Sequence, residues 1–124
     1  MPPNSLLVDD DVRNDFALTS ALKQYGMRVL HADNGRKAID TLQRVQDVDA
    51  VLMDLMMPDL DGYDTIRIVR QLERYSDLPI IAVTAQAMLG DREKCIRAGA
   101  SDYIAKPVHI ESLLAMLSRY LPGI

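Results

Sequence analysis

A carboxylate placed where a buried strand runs out is poised to do chemistry, and this chain has two such places. Asp54 follows the apolar run Ala50-Val51-Leu52-Met53 and precedes Leu55-Met56-Met57-Pro58. A second apolar run, Ser5-Leu6-Leu7-Val8, ends in Asp9, Asp10 and Asp11. Short continuous apolar runs read as buried strands, so each acid is expected at the mouth of a sheet, half out of the core. If the two strands are neighbours, like charges gather at one sheet edge. Such a group repels itself and needs a cation to hold it.

The elements that must position these acids alternate along the chain. Ser5 to Val8 reads as strand. From Val12 to about Gln24, Leu18, Ala21, Leu22 and Tyr25 fall at helical spacing, with Gly26 as a stop. Arg28 to Ala32 reads as a short strand and Asn34-Gly35 as a turn. Ala38, Ile39, Leu42 and Val45 mark a second helix, and Ala50 to Met53 the next strand. Pro58 to Gly62 reads as a loop, with Asp59 and Asp61 as solvated turn residues. Ile66, Val69 and Leu72 stripe a third helix, and Pro79 to Val83 is an apolar strand. A weaker helix is expected over roughly Leu89 to Ala98, closed by Gly99. Tyr103 to Ala105 is the fifth strand. Ile110, Leu113, Leu114, Leu117 and Leu121 line a last helix. Strand and helix thus alternate five times, which favours a parallel sheet covered on both faces. Such sheets bind ligands beyond the carboxyl ends of their strands.

Composition narrows the function. The chain has 124 residues, 48% hydrophobic and 26% charged, which suits one globular domain, residues 1–124 with a core of about 5–121. A formal charge of -4 and the lack of a Lys or Arg run argue against a nucleic-acid surface. The lone cysteine, Cys95, precludes an internal disulfide and fits a reducing cytosol. It reads as a small buried hydrophobe in the fourth helix. With His31 and His109 far apart in sequence, no zinc pattern forms. Both histidines read as structural or surface residues. No stretch approaches the length of a membrane span, and Met1-Pro2-Pro3-Asn4 lacks a basic region and an apolar core. The chain as given is expected to be cytoplasmic, without membrane contact.

The residues just beyond the strands are then Asp9, Asp10 and Asp11, Asp54, Thr84 and Lys106. In this architecture they share one rim. Clustered acids suit a hard cation such as magnesium. A phosphoryl group needs such a cation, positive charge and hydrogen-bond donors around it. The chemistry indicated is phosphoryl transfer with a carboxylate as nucleophile.

At these positions the sequence closely resembles the receiver domain of bacterial two-component response regulators. The matching pieces are Val8-Asp9-Asp10, Val51-Leu52-Met53-Asp54 with Pro58 and Gly62, Val83-Thr84-Ala85, and Lys106-Pro107. They stand 44 positions apart from Asp10 to Asp54, 30 from Asp54 to Thr84 and 22 from Thr84 to Lys106. The resemblance implies a flavodoxin-like (βα)5 fold of class α/β, a doubly wound five-stranded parallel sheet in the order 2-1-3-4-5. It implies that Asp54 accepts a phosphoryl group from a phosphohistidine on a sensor histidine kinase or histidine phosphotransfer protein. Asp10, Asp54 and the backbone carbonyl of Met56 match the direct magnesium ligands, and Asp9 the acid that reaches the metal through water. Lys106 and Thr84 match the residues that hold the phosphoryl oxygens, Tyr103 the aromatic that turns inward with them. The Lys106-Pro107 bond is usually cis in the family. The stretches Gly90 to Cys95 and Ala98 to Tyr103 are similar to receivers fused to hybrid sensor histidine kinases, and Pro2-Pro3 reads as a linker remnant. The resemblance also allows a homodimer through the face of the fourth helix, fifth strand and fifth helix.

Blander roles compete. Asp11 is read as a helix cap. Thr84 and Lys106 taken singly fit ordinary strand and solvated positions, and Tyr103 also fits a fixed core residue with its hydroxyl at the surface. Met56 and Gln86, two residues after Asp54 and Thr84, are expected to tune the lifetime of an aspartyl-phosphate by excluding or failing to activate water; Met56 pointing to solvent is the alternative. Two rival functions exist. A phosphatase of the haloacid dehalogenase type wants a second acid two residues after its nucleophile, where this chain has Met56. A flavodoxin-like electron carrier wants hydroxyls after the first strand and aromatics around a flavin. This chain offers acids there, no Trp and one Phe.

Overall fold

The structure, a computed structural model, describes residues 3–10, 12–45, 47–55, 62–84 and 90–121, with backbone alone for 12–15. Five strands, β1 (Asn4–Val8), β2 (Arg28–Ala32), β3 (Ala50–Asp54), β4 (Ile80–Thr84) and β5 (Asp102–Ala105), alternate with helices α1 (Val12–Gln24), α2 (Gly35–Arg44), α3 (Gly62–Gln71), α4 (Asp91–Ala98) and α5 (Ile110–Ser118). All strand pairs are parallel, in the order β2-β1-β3-β4-β5. This is the expected flavodoxin-like doubly wound sheet. A short 3-10 turn, Glu73–Tyr75, follows α3 and was not expected.

The apolar runs explain the layers. Along a strand successive side chains point to opposite faces. Leu6, Val8, Val51, Met53, Ile80 and Ala82 join one buried cluster with Ala38 and Leu42 of α2, Ile66 and Val69 of α3, and Cys95 and Ala98 of α4. Their neighbours Leu7, Ala50, Leu52, Ile81 and Val83 face the other way, onto Leu18 and Leu22 of α1 and Leu113 and Leu117 of α5. Every residue of β3 and β4 is buried. Strands covered on both faces have no polar side to display, which is why they read as unbroken apolar runs.

Several local expectations change. Asn34-Gly35 is a helix start rather than a turn: Asn34 sits in extended backbone and its side chain accepts from the Lys37 N–H at 2.9 Å, capping α2. Tyr25, expected on the buried stripe of α1, lies beyond the helix end and is 56% exposed. The fourth helix runs from Asp91, and Leu89 lies outside the described residues. Gly90 and Gly99, on either side of it, both adopt left-handed backbone (φ +93° and +119°), where a side chain would be strained. The last helix stops at Ser118, although Leu121 beyond it is still buried. Cys95 is buried as expected, and burial pushes its thiol above the ordinary range, with Tyr63 pulling the other way.

Two polar anchors fix the end of the sheet away from the acids. Arg70 of α3 donates from Nε to the Gly99 carbonyl at 2.7 Å, from one terminal nitrogen to the Tyr75 carbonyl at 3.0 Å and from the other to Ser101 Oγ at 3.3 Å. Tyr120 after α5 places its hydroxyl 3.0 Å from the Ser101 carbonyl and 3.3 Å from Asp102 Oδ2. Burial first, and Asp102 second, raise the Tyr120 hydroxyl above the ordinary tyrosine range. Tyr120→Phe is expected to lower stability by about 1 kcal/mol, the net worth of a part-buried hydrogen bond. The urea midpoint should fall with an unchanged slope; an unmoved midpoint would show that this anchor contributes nothing.

Candidate functional site

Parallel register brings the acids together. Val8 is the partner of Met53, so the next residues, Asp9 and Asp54, stand side by side at the carboxyl edge. The backbone of each is tied into the sheet there: the Asp9 N–H donates to the Ala32 carbonyl at 3.1 Å, and the Leu55 N–H to the Val83 carbonyl at 3.0 Å. Asp9 and Asp54 are each only 2% exposed, whereas Asp10 is open to solvent. One carboxylate oxygen from each of Asp9, Asp10 and Asp54 lies within 4.8 Å of the others.

The opposite wall comes from β4 and β5. Thr84 ends β4, 5% exposed, and is the partner of Ala105. The Lys106 N–H donates to the Thr84 carbonyl at 2.7 Å, which prolongs the ladder by one residue. From there the Lys106 side chain crosses to Asp54, with Nζ 3.1 Å from Oδ2. The Lys106-Pro107 bond is cis. Tyr103 is the partner of Ala82, half-buried, and packs on the cluster shared with α3 and α4. Thr84 lies two residues beyond Ala82, so it faces the same side as Tyr103.

The structure therefore assembles Asp9, Asp10, Asp54, Thr84 and Lys106 on one rim, with Tyr103 one strand away. Asp11, Met56, Met57, Pro58, Asp59, Asp61, Ala85 and Gln86 lie outside the described residues. His31 is exposed on β2 and pairs with Thr19 of α1 at 3.0 Å, and His109 is exposed before α5. Three carboxylates with one ammonium between them favour a hard divalent cation, because oxygen ligands and negative charge are what such an ion takes. The donor set present fits magnesium. The same rim carries the ammonium of Lys106 and the hydroxyl of Thr84.

Gly62, read from the sequence as the end of a loop and as part of the family match, opens α3 beside this site. A Cβ on Gly62 would lie 2.6 Å from the Asp54 carbonyl oxygen and 2.7 Å from Leu55 Cα, so α3 begins hard against the acceptor strand. The next residue, Tyr63, is half-buried and meets α4. Tyr63 was not singled out from the sequence, where its only signal was a large aromatic directly after Gly62.

The chain thus presents a doubly wound parallel sheet with an acid cluster and a lysine at its carboxyl edge. The family described as the response regulator receiver domain matches residues 6–118, and the chain belongs to it. Over 118 residues it is 39% identical to the signal transduction histidine-protein kinase BarA of Escherichia coli K12, spanning 95% of this chain and 13% of that protein. It therefore spans a small part of the length of such curated relatives. Among solved structures, the receiver domain of the Pseudomonas aeruginosa sensor histidine kinase PA1611 is 39% identical, with a TM-score of 0.89 over 97% of this chain and 98% of that one. That structure is described with a magnesium ion coordinated in its active site cleft. The Vibrio cholerae chemotaxis protein CheY4 is 27% identical, with a TM-score of 0.91 over 98% of this chain and all of the other.

Proposed function

We propose that this chain is a single receiver domain that takes a phosphoryl group from a phosphohistidine onto Asp54 and changes shape in response. The observation that carries the reading is the Lys106 ammonium 3.1 Å from Asp54 Oδ2, with one oxygen from each of Asp9, Asp10 and Asp54 within 4.8 Å of the others. Asp54, held at the end of a fully buried strand, presents its carboxylate in one fixed place. An oxygen of Asp54 attacks phosphorus; the phosphorus–nitrogen bond of the donor breaks, and its electron pair stays on the imidazole. Lys106 offsets charge on the phosphoryl oxygens, and Thr84 donates a hydrogen bond to one of them. Asp10 and Asp54 would hold magnesium, with Asp9 reaching it through water and the Met56 carbonyl as a further ligand. Bound there, the metal supplies charge neutralisation for the phosphoryl group.

The donor fits a sensor histidine kinase or histidine phosphotransfer protein, and the 39% identity to a histidine kinase supports a relay of that kind in the cytoplasm. No helix among the described residues is long and apolar enough to cross a membrane. The α4-β5-α5 face is the surface that would respond and that a partner or second copy would read.

Acetyl phosphate with magnesium should add one phosphoryl group to the intact mass, and a chelator should prevent it. A chain that stays unmodified under both conditions ends this reading. Asp10→Ala is expected to abolish magnesium binding, followed by calorimetry, while the fold persists. Removing one of three crowded acids relieves repulsion, so the metal-free variant should be at least as stable as the parent. A large loss of stability would contradict a repulsive acid pocket.

A further inference from the structure

A run of contacts leads from the Asp54–Leu55 peptide through the start of α3 to α4. Gly62, the first residue of α3, rests on the Asp54–Leu55 peptide with no room for a Cβ. A shift of that peptide therefore pushes directly on the first turn of α3, because a close-packed interior has no slack to absorb it. Tyr63 is the next residue. Its side chain hydrogen-bonds to Cys95, which is wholly buried in α4. Lys94, the preceding residue of α4, holds its Nζ 4.5 Å from the centre of the Tyr63 ring. One side chain of α3 thus grips two consecutive residues of α4 by two directional contacts. Beyond the far end of α4, Arg70 donates to the Gly99 carbonyl at 2.7 Å. That contact lies eight residues along α3 from Gly62, beyond the C-terminal end of α4.

We propose that Tyr63 is a positioning residue that carries displacement of the Asp54–Leu55 peptide to α4, with the Arg70–Gly99 bond as the fixed pivot. The inference rests on the phosphoacceptor reading above and extends it by naming the contact through which α3 holds α4. With the site empty, the grip on Cys95 and Lys94 keeps α4 in place. When the acceptor strand's end rearranges around a phosphoryl group, Gly62 moves with it, Tyr63 follows, and the helix swings about Gly99.

Hydrogen exchange on the full chain, with and without magnesium and beryllofluoride, tests this in the parent, Tyr63→Phe and Tyr63→Leu. Phosphoryl uptake from acetyl phosphate is followed in parallel by intact mass. The Phe variant keeps the ring over which Lys94 sits and loses only the bond to Cys95. In it, amides of 91–98 should exchange on the order of threefold to tenfold faster before beryllofluoride, as loss of one buried hydrogen bond implies. The further change on adding beryllofluoride should shrink to half or less, while uptake at Asp54 persists. The Leu variant, which loses both contacts, should show no response in α4. A merely structural role would speed exchange but leave the beryllofluoride response at its parental size, and that result overturns the proposal even if the Leu variant does not fold. A parent chain that takes up no phosphoryl group refutes the phosphoacceptor reading and this coupling with it. Normal uptake with an undiminished α4 response in the Phe variant refutes the coupling alone.

Discussion

Asp54→Asn is expected to take up no phosphoryl group from acetyl phosphate and magnesium, against one per chain for the parent. The amide keeps the size and place of the carboxylate at the end of β3 but has no anionic oxygen to attack phosphorus. It also leaves Lys106 without the charge that now lies 3.1 Å from its Nζ. Asp9 and Asp10 stand within reach of the same phosphoryl group, so they are the internal controls: both are carboxylates, and both are retained. Intact-mass measurement of the two proteins over a time course decides the matter. Equal labelling of the Asn variant would move the acceptor to another residue. The domain itself should survive the change, because removing one acid lowers repulsion in the pocket as it removes the partner of Lys106.

Gly62→Ala should damage both stability and phosphoryl uptake. The added methyl would meet the Asp54 carbonyl oxygen at 2.6 Å, Leu55 Cα at 2.7 Å and Leu55 Cδ2 at 2.9 Å. A flexible side chain could swing aside, but the first two atoms are backbone of the acceptor strand's end. Relief requires α3 to lift or Asp54 to move. Overpacking of this kind costs about 1–3 kcal/mol, and the rigidity of the atoms met puts this case at the upper end. The urea midpoint reads the stability loss, and the initial rate of mass gain from acetyl phosphate reads the displacement of Asp54. A variant with the parent's midpoint and rate would show that the α3 start is looser than its contacts imply.

How much of this was written legibly in the sequence depends on the range of the interaction. β1, β3 and β4 were plain because strands covered on both faces have no polar alternation to obscure them. The acids at their ends followed, since a strand's end fixes which residues emerge at the rim. The Asp54–Lys106 pairing joins residues 52 positions apart and follows from no local pattern; the parallel order and the family resemblance supplied it. Asn34 was misread because asparagine serves both left-handed turns and helix caps, and only the Lys37 N–H decides between them. Leu121 keeps the helical period although the helix has ended, because its N–H still donates to the Leu117 carbonyl four residues back, at 2.8 Å. For Tyr63 and Arg70 no local pattern named a partner: those partners, Cys95 and Gly99, are set by how α3 and α4 lie together.

The sheet order has a consequence for how the protein comes into being. β3 is flanked by β1, 45 positions earlier at the Ser5–Ala50 pairing, and by β4, which is made later. The rim is therefore built from residues 9 to 106, nearly the whole described chain. A polypeptide still being synthesised can expose Asp54 well before Thr84 and Lys106 exist to complete its surroundings. Long-range parallel pairings of this sort form late, after loop closure across the intervening chain. On the proposed function, a fragment cut short after β4 would carry the acceptor aspartate without the lysine that pairs with it. On that reading the domain becomes competent only once β5 has joined the sheet.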